Sequence, residues 1–271
     1  MDIGRMAEQL FTGGLKKFSN RHRGETCYIF GDGPSIKWFD LQSFTDHPAI
    51  CCGMIPFHRD FAHLNVKYVS FVAPWIFLPR WLQPQLYHQF RTIAAEYRRL
   101  MRARRDIEFF INATNSPVLT GPNINYVLRG FPQTRNETDV QLRRMRLFDG
   151  SFHATLALAY YMGFAKVYLL GFDAWTIQPA RTLHWYELGA GELFEPTNFA
   201  TDFLGLVGRD MAIHTISADG YSTNVAHVSY RSYTGKEPRF RENYELIDPP
   251  NLQLLATCPG FRIFEKAAVQ S

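Results

Sequence analysis

The sequence has few cysteines and no long hydrophobic run, and both absences narrow the class of protein. Its four cysteines, Cys27, Cys51, Cys52 and Cys258, form no CxxC pair. This pattern predicts buried free thiols in a reducing compartment rather than a disulfide framework. No segment reaches about 18 uninterrupted apolar residues, and the amino terminus shows no signal-peptide run, so no transmembrane helix is expected. We therefore expect a cytoplasmic protein, or one peripheral at the inner face of a membrane.

Several common motifs for cofactor and metal binding are also missing. The first glycine turn is not GxGxxG, and no GK[ST] occurs, so neither a dinucleotide fingerprint nor a Walker loop is present. No Asp-x-Asp motif appears, which weakens a metal-dependent sugar-nucleotide mechanism. His58 and His63 are five residues apart in a non-helical stretch, which argues against zinc. We expect neither a metal ion nor a resident cofactor.

The charge is only mildly positive but unevenly distributed. The formal net charge of +4 requires no nucleic-acid partner, and the 46% of hydrophobic residues is ample for a packed core. Between residues 91 and 105, six arginines stand against one acid, Glu96. They are Arg91, Arg98, Arg99, Arg102, Arg104 and Arg105. A solvated helix face explains this pattern; an acidic membrane surface, a polyanionic acceptor or another subunit is the alternative.

Short apolar segments alternate with helical ones along most of the chain. Strands are predicted at residues 27–30, 49–53, 67–72, 107–111, 166–171 and 212–216, and helices at 84–105, 151–162 and 197–211. This alternation predicts an α/β fold with a mostly parallel sheet and helices on both faces. Residues 115–140 are predicted to be mostly loop, residues 174–191 are predicted to be loop, and irregular structure is predicted from 235 onward.

Three regions follow from this organisation. Residues 1–25 are predicted to form an arm separate from the core, with a weakly helical segment at 6–11 and a basic stretch after it. This arm is a surface segment or, alternatively, a membrane or oligomer contact. Residues 26–235 form the α/β domain, with a small lid at about 174–196. Residues 236–271 form a tail that packs on the domain.

The predicted carboxyl ends of the strands carry small and polar residues, as a ligand crevice requires. They include Gly53, Asn112 and Thr114. The turn Gly31-Asp32-Gly33-Pro34-Ser35 leads into a helical turn, whose free N–H groups attract phosphate. An ordinary strand-to-helix turn is the alternative. Asp149-Gly150-Ser151 begins a later helix and is either a second anion-facing start or a cap only.

The segment after the fifth predicted strand adds candidates for catalysis. Asp173 can accept a sugar hydroxyl or a backbone N–H, or bind a metal, and Trp175 can stack on a base or sugar ring. His184 lies in a loop beside Tyr186. Histidine is the natural general base near neutral pH, although a loop histidine can also be a simple surface residue.

Two segments, taken together and in this order, resemble the bacterial sialyltransferases of glycosyltransferase family 42 and the related domain of motility accessory factors that glycosylate flagellin. The first is Tyr28–Lys37, with a G-[ND]-G-P-S turn. The second is Ser151–Asp173, a helix ending in glycine and then a strand ending in G-x-D. The resemblance implies that residues 26–235 have a Rossmann-like fold that binds a nucleotide sugar. It also implies a CMP-activated nonulosonic acid such as sialic acid as donor, a surface glycan or protein as acceptor, and metal-free transfer with a histidine base.

Carried over by position, the resemblance assigns roles to individual residues. Gly31, Asp32, Gly33 and Pro34 would hold the nucleotide, Ser151 would lie at the donor, and Trp175 would replace a phosphate-binding tyrosine. His184 lies where the lid that bears the base should be. The sequence departs from the family where Asp32, Gly53 and Ala73 replace asparagines, and where Phe152 replaces a glycine.

Two other functions fit the same residues. Archaeal-type pterin pyrophosphokinases resemble the first turn; they transfer pyrophosphate from ATP with magnesium, so Asp32 and Asp173 would then face the metal. A non-catalytic nucleotide- or glycan-binding module would keep the fold without activity. A homo-oligomer is compatible with each function.

Overall fold

A computed structural model describes residues 13–116, 118–129, 146–147, 150–196 and 201–264. Within these residues the chain forms a nine-stranded sheet and a separate two-stranded hairpin. The strands are β1 Thr26–Phe30, β2 Ala49–Cys52, β3 Val66–Phe71, β4 Glu108–Asn112, β5 Ile124–Arg129, β6 Arg146–Leu147, β7 Lys166–Leu170, β8 Ala180–Arg181, β9 Leu193–Phe194, β10 Ala212–Ser217 and β11 Ala226–Ser229. The α-helices are α1 Arg91–Ala103, α2 Gly150–Tyr161, α3 Asp173–Thr176, α4 Thr201–Val207, α5 Tyr230–Thr234, α6 Asn243–Leu246 and α7 Pro249–Ala256.

The order of the strands places a topological switch point between β1 and β7, near the middle of the sheet. The order is β11-β10-β7-β1-β2-β3-β4-β5-β6, and every neighbouring pair is parallel. The chain runs outward from β1 to β6 and then returns to β7 on the other side of β1. Parallel sheets bind ligands at such a switch point, beyond the carboxyl ends of the two strands.

The sheet has a hydrophobic core on each face, which confirms the predicted α/β architecture. Alternate residues of β1 point to opposite faces, with Tyr28 and Phe30 in one core and Cys27 and Ile29 in the other. On the first face, α1 and the helices of the tail cover the sheet; on the second, α2 and α4 cover it. All residues of α2 from 152 to 159 are buried, because this helix is enclosed by other elements rather than lying at the surface.

Several predicted boundaries were wrong. The segment 115–140 contains β5, whose alternating residues Ile124–Arg129 were masked by the surrounding Pro, Gly and Asn content. The segment 174–191 contains most of α3 and the hairpin strand β8, and the tail is helical in α6 and α7. Pro249 and Pro250 begin α7, since proline is tolerated in the first helical turn. Helix α1 begins at Arg91, after a 3-10 helix at Gln85–Phe90.

The N-terminal arm, which was predicted to lie separate from the core, packs on the sheet where it is described, and the tail packs there too. Phe18 is fully buried, with its ring centroid 4.9 Å from that of Phe110. Leu246 and Leu255 of the tail are also fully buried. The segment 6–11 and residues 197–200 lie outside the described residues.

The four cysteines are buried free thiols, as predicted. Within the described part of the chain, no helix combines the length and apolar character needed to cross a bilayer.

The turns after β1 and β7 touch so closely that glycine is required in both. A Cβ on Gly31 would lie 2.6 Å from the carbonyl oxygen of Gly171 and 2.7 Å from the ring of Phe172. Gly171 has a φ of 74°, and a Cβ there would lie 2.5 Å from the carbonyl oxygen of Gly31. Backbone atoms cannot move aside as a flexible side chain can.

We predict that Gly31→Ala lowers the free energy of unfolding by about 1–3 kcal/mol or more, since overpacking forces the two turns apart. The matched control is Gly205→Ala in α4, where a Cβ would meet nothing within 4 Å. It should raise the free energy of unfolding by about 0.5–1 kcal/mol, because alanine favours a helix interior. Urea denaturation of the full chain measures both. Equal effects of the two substitutions would contradict the close contact of the turns.

Candidate active site

The glycine turn after β1 gives its backbone donors to the protein itself. Gly31 donates to the carbonyl of Leu170 over 2.8 Å, and Gly33 donates to that of Gly171 over 2.6 Å. The N–H of Ser35 donates to Oδ2 of Asp173 over 3.0 Å. Burial raises the pKa of Asp173, and the hydrogen bond from Ser35 limits that rise. The turn therefore shapes the crevice, but the amide groups of these three residues are already engaged.

The carboxylate of Asp32, a residue of this turn, lies between the end of β2 and the lid. Its Oδ1 accepts the N–H of Met54 over 2.8 Å and Nε1–H of Trp185 over 3.1 Å. Gly53, with a φ of 54°, lies against the carboxylate, and a Cβ there would overlap with it. Burial raises the pKa of Asp32 to about 6, while the charge of His184 and the two N–H donors oppose the rise.

His184 and Glu187 form a hydrogen-bonded pair beside Asp32. Nδ1 of His184 lies 3.0 Å from Oε2 of Glu187, which also accepts the backbone N–H of His184 over 2.7 Å. The imidazole is about half exposed and stacks on Tyr186 at 5.0 Å, whereas Glu187 is buried. With Nδ1–H donated to Glu187, Nε2 carries the lone pair that can accept a proton. This is the arrangement of a histidine base oriented by a carboxylate.

The same pair sets the protonation of the histidine. Burial lowers the pKa of His184, but its hydrogen bond to Glu187 and the charges of Asp32 and Glu187 outweigh it and raise the pKa above its usual value. Burial raises the pKa of Glu187, but its hydrogen bonds with His184 outweigh it and lower that pKa. The site is thus built to stabilise an imidazolium.

A buried lysine fixes the lid segment that carries His184. The Lys37 side chain is fully buried, and its Nζ donates to the carbonyl oxygens of Glu187 and Gly189. It also lies 3.4 Å from Oε2 of Glu242, which accepts the N–H of Gly189. Asn243 of the tail donates from Nδ2 to the carbonyl of Tyr186 over 3.0 Å. The tail and the first turn therefore hold the lid from two sides.

Sequence reasoning missed Lys37, Glu187, Glu242 and Asn243. Two of them had a visible signal. Lys37 stands alone among the apolar residues Ile36, Trp38 and Phe39, and a charged residue in such a segment is usually paired. Glu187 follows His184 by three residues, a spacing that brings side chains together in a turn. Glu242 and Asn243 had none, because only the folded tail places them at the lid.

Three other predicted site residues, Asn112, Thr114 and Trp175, make contacts with nearby protein groups. Oδ1 of Asn112 accepts the N–H of Thr114 over 3.0 Å, and Oγ1 of Thr114 accepts that of Trp75 over 2.9 Å. Asn112 ends β4 and Thr114 follows it, three strands from β1, or roughly 14 Å at the usual strand spacing. Trp175 stacks on Phe152 with ring centroids 5.4 Å apart. Their roles toward a ligand remain predictions.

The remaining predicted residues lie at the carboxyl edge. Ser151 lies at the start of α2. Burial raises the pKa of the Cys52 thiol at the end of β2, and the side chain of Ser151 lowers it. Tyr186 is buried beneath His184. Asp149 lies outside the described residues. The structure therefore brings Asp32, Gly53 and His184 into one cluster, with Ser151 beside the same strand end.

Under the pyrophosphokinase alternative, two aspartates would face magnesium, and both accept hydrogen bonds from protein N–H groups. Asp32 accepts from Met54 and Trp185, and Asp173 accepts from Ser35. Across the ranges that the structure describes, no group of three or more His, Cys, Asp or Glu residues could hold a metal ion. Metal-independent chemistry remains a prediction.

Comparisons with known proteins give structural similarity without sequence similarity. No family model matches the chain, and no curated protein matches it significantly. The sialyltransferase CstII from Campylobacter jejuni, in complex with cytidine-5'-monophosphate, is 13% identical with a TM-score of 0.45, over 87% of this chain and 99% of that chain. CST-II in complex with trisaccharide acceptor and CMP is 14% identical with a TM-score of 0.44, over 86% and 100%. The α-2,3-sialyltransferase from Campylobacter jejuni in apo form is 15% identical with a TM-score of 0.40, over 86% and 95%.

We predict that Asp32→Asn becomes more stable relative to the unsubstituted protein as the pH rises. The pKa of about 6 in the folded protein lies above the ordinary 3.8, so ionising Asp32 costs stability as the pH rises from about 4 through 6. The difference in free energy of unfolding should change by about 2–3 kcal/mol between pH 4 and pH 8. Asparagine keeps the Oδ1 acceptor for Met54 and Trp185.

Urea denaturation at a series of pH values measures this change. Glu195→Gln, at an exposed side chain, is the control and should show a constant difference within about 0.5 kcal/mol. A pH-independent difference for Asp32→Asn would contradict the cost of charging Asp32 in the folded protein.

Proposed function

We propose that this chain is a glycosyltransferase that uses a nucleotide-activated sugar, a CMP-linked nonulosonic acid such as sialic acid, to modify a hydroxyl of a surface glycan or protein. The observation that carries the proposal is the His184–Glu187 pair beside Asp32 at the switch point of the parallel sheet. Nucleotides bind at such switch points, and a carboxylate-oriented histidine is a general base. The resemblance of segments 28–37 and 151–173 to family 42 supports the donor class.

His184 acts on the acceptor in this proposal. Its Nε2 removes the proton of the acceptor hydroxyl while that oxygen bonds to the anomeric carbon of the donor sugar. The bond from this carbon to the phosphate oxygen breaks, and CMP leaves with the electron pair. Glu187 holds Nδ1–H and stabilises the imidazolium that forms. Because the base must start neutral, activity should rise with pH through a pKa above the usual 6.5 of histidine.

We assign the donor phosphate to the start of α2 rather than to the glycine turn. The N–H groups of Gly31, Gly33 and Ser35 already donate to protein acceptors. Helix α2 is 12 residues long and begins at the exposed Gly150, followed by Ser151. A helix of this length concentrates partial positive charge and free N–H groups at its start. The glycine turn then forms the wall against which the nucleotide lies.

Nucleotide binding and turnover test the proposal together. In a thermal-shift panel of CMP, UMP, AMP, GDP and ATP with or without magnesium, CMP should stabilise the full chain most. With CMP-sialic acid and a glycan acceptor, His184→Gln should lower kcat by about 10²–10⁴-fold, the usual contribution of a general base. CMP binding should change little. His63→Gln, at an exposed histidine before β3, is the control and should leave kcat unchanged.

Two outcomes would replace the proposal. Stabilisation by ATP with magnesium and none by CMP would favour the pyrophosphokinase alternative. CMP binding without turnover across a broad screen of donors and acceptors would favour a non-catalytic binding module.

A further inference from the structure

A cavity of about 380 Å³ lies between α1 and the loop that precedes β5. Three arginines line it, Arg98, Arg102 and Arg105, facing the loop residues Thr120 and Gly121. Its volume falls within the range of about 300–1,000 Å³ that small-molecule sites occupy. It shares no lining residue with the His184 cluster.

The three arginines have no acidic partner in the part of the chain that the structure describes. Two other arginines of the 91–105 stretch have an acidic partner: Arg99 pairs with Glu96 at 2.6 Å, and Arg104 pairs with Asp106 at 2.7 Å. Neither Arg99 nor Arg104 lines the cavity. Among the described residues, both paired arginines of this stretch therefore lie outside the cavity, and the three inside it have no acidic partner; Arg91, outside the cavity, has none either.

Arg98 is the least well satisfied of the three arginines. Its Nη2 donates to the carbonyl of Phe77, whereas its buried Nε has no hydrogen-bond acceptor among the described residues. Burial lowers the pKa of Arg98, and the charge of Arg102 lowers it further. A bound anion would relieve the repulsion between Arg98 and Arg102.

The loop wall is fixed to the end of α1. Nδ2 of Asn123 donates to the carbonyl oxygens of Met101, Arg104 and Ile107 at 3.0–3.1 Å. The N–H groups of Thr120 and Gly121, by contrast, have no acceptor within the described ranges. The cavity is therefore lined by guanidinium groups and by two loop residues whose N–H groups have no backbone acceptor within the described ranges.

We propose that this cavity binds a phosphate-class anion, such as a pyrophosphate or phosphomonoester group, at a site separate from the candidate active site. Guanidinium groups match the geometry of phosphate oxygens and stay charged at all physiological pH values. The group can belong to a small phosphorylated metabolite or to a lipid headgroup, which share this chemistry.

Titration calorimetry of the full chain with inorganic pyrophosphate tests the site. The double substitution Arg102→Gln with Arg105→Gln should weaken binding at least about tenfold, because it removes two charged donors. The double substitution Arg99→Gln with Arg104→Gln removes the same charge outside the cavity and should change the affinity less than about twofold. His184→Gln should leave it unchanged.

Flotation with vesicles of phosphatidylcholine, with and without phosphatidic acid, identifies the source. Flotation that needs phosphatidic acid, Arg102 and Arg105 would make the ligand a lipid headgroup; pyrophosphate binding alone would make it a small metabolite. The proposal is overturned if neither probe binds, if both double variants weaken binding equally, or if binding persists when Arg102 and Arg105 are replaced.

Discussion

One partly buried carboxylate, that of Asp32, joins the parts from which the candidate site is built. Its Oδ1 accepts a hydrogen bond from Met54 at the end of β2 and another from Trp185 of the lid. Burying a carboxylate is costly, and the pKa of about 6 records that cost. The two N–H donors and the charge of His184 offset part of it. The histidine and the aspartate therefore stabilise each other's charged forms across the crevice.

The fold supports this interaction by fixing its surroundings. Gly53 leaves room for the carboxylate, and the contact between Gly31 and Gly171 sets the distance between the two central turns. Lys37 and Asn243 hold the lid so that His184 stays beside Asp32. A base positioned in advance loses little free energy to reorganisation when the reaction occurs. The carboxyl-terminal tail is in this sense part of the site.

The sequence predicted most strands of the sheet, but not the contacts between residues that are distant along the chain. Six strands were predicted because each is a short apolar run, a pattern that neighbouring residues show by themselves. They are β1, β2, β3, β4, β7 and β10. Strand β5 was missed because Asn123 and Asn125 made its start look like a loop, although the side-chain N–H groups of both residues donate hydrogen bonds. The contact between Asp32 and Trp185 spans 153 residues, which no local pattern can show. The switch point likewise depends on the return of the chain to β7.

A nitrogen-15 NMR titration of the histidine side chains tests the central claim most directly, with His184 assigned from the signal lost in His184→Gln. We expect the pKa of His184 to lie above the usual 6.5 and to fall in Glu187→Gln, because that substitution removes the hydrogen-bonded carboxylate. Addition of CMP should shift the His184 signals and leave those of the exposed His63 unchanged. An ordinary pKa, unaffected by Glu187→Gln, together with CMP binding that leaves His184 unperturbed, would contradict a site built on Asp32, His184 and Glu187.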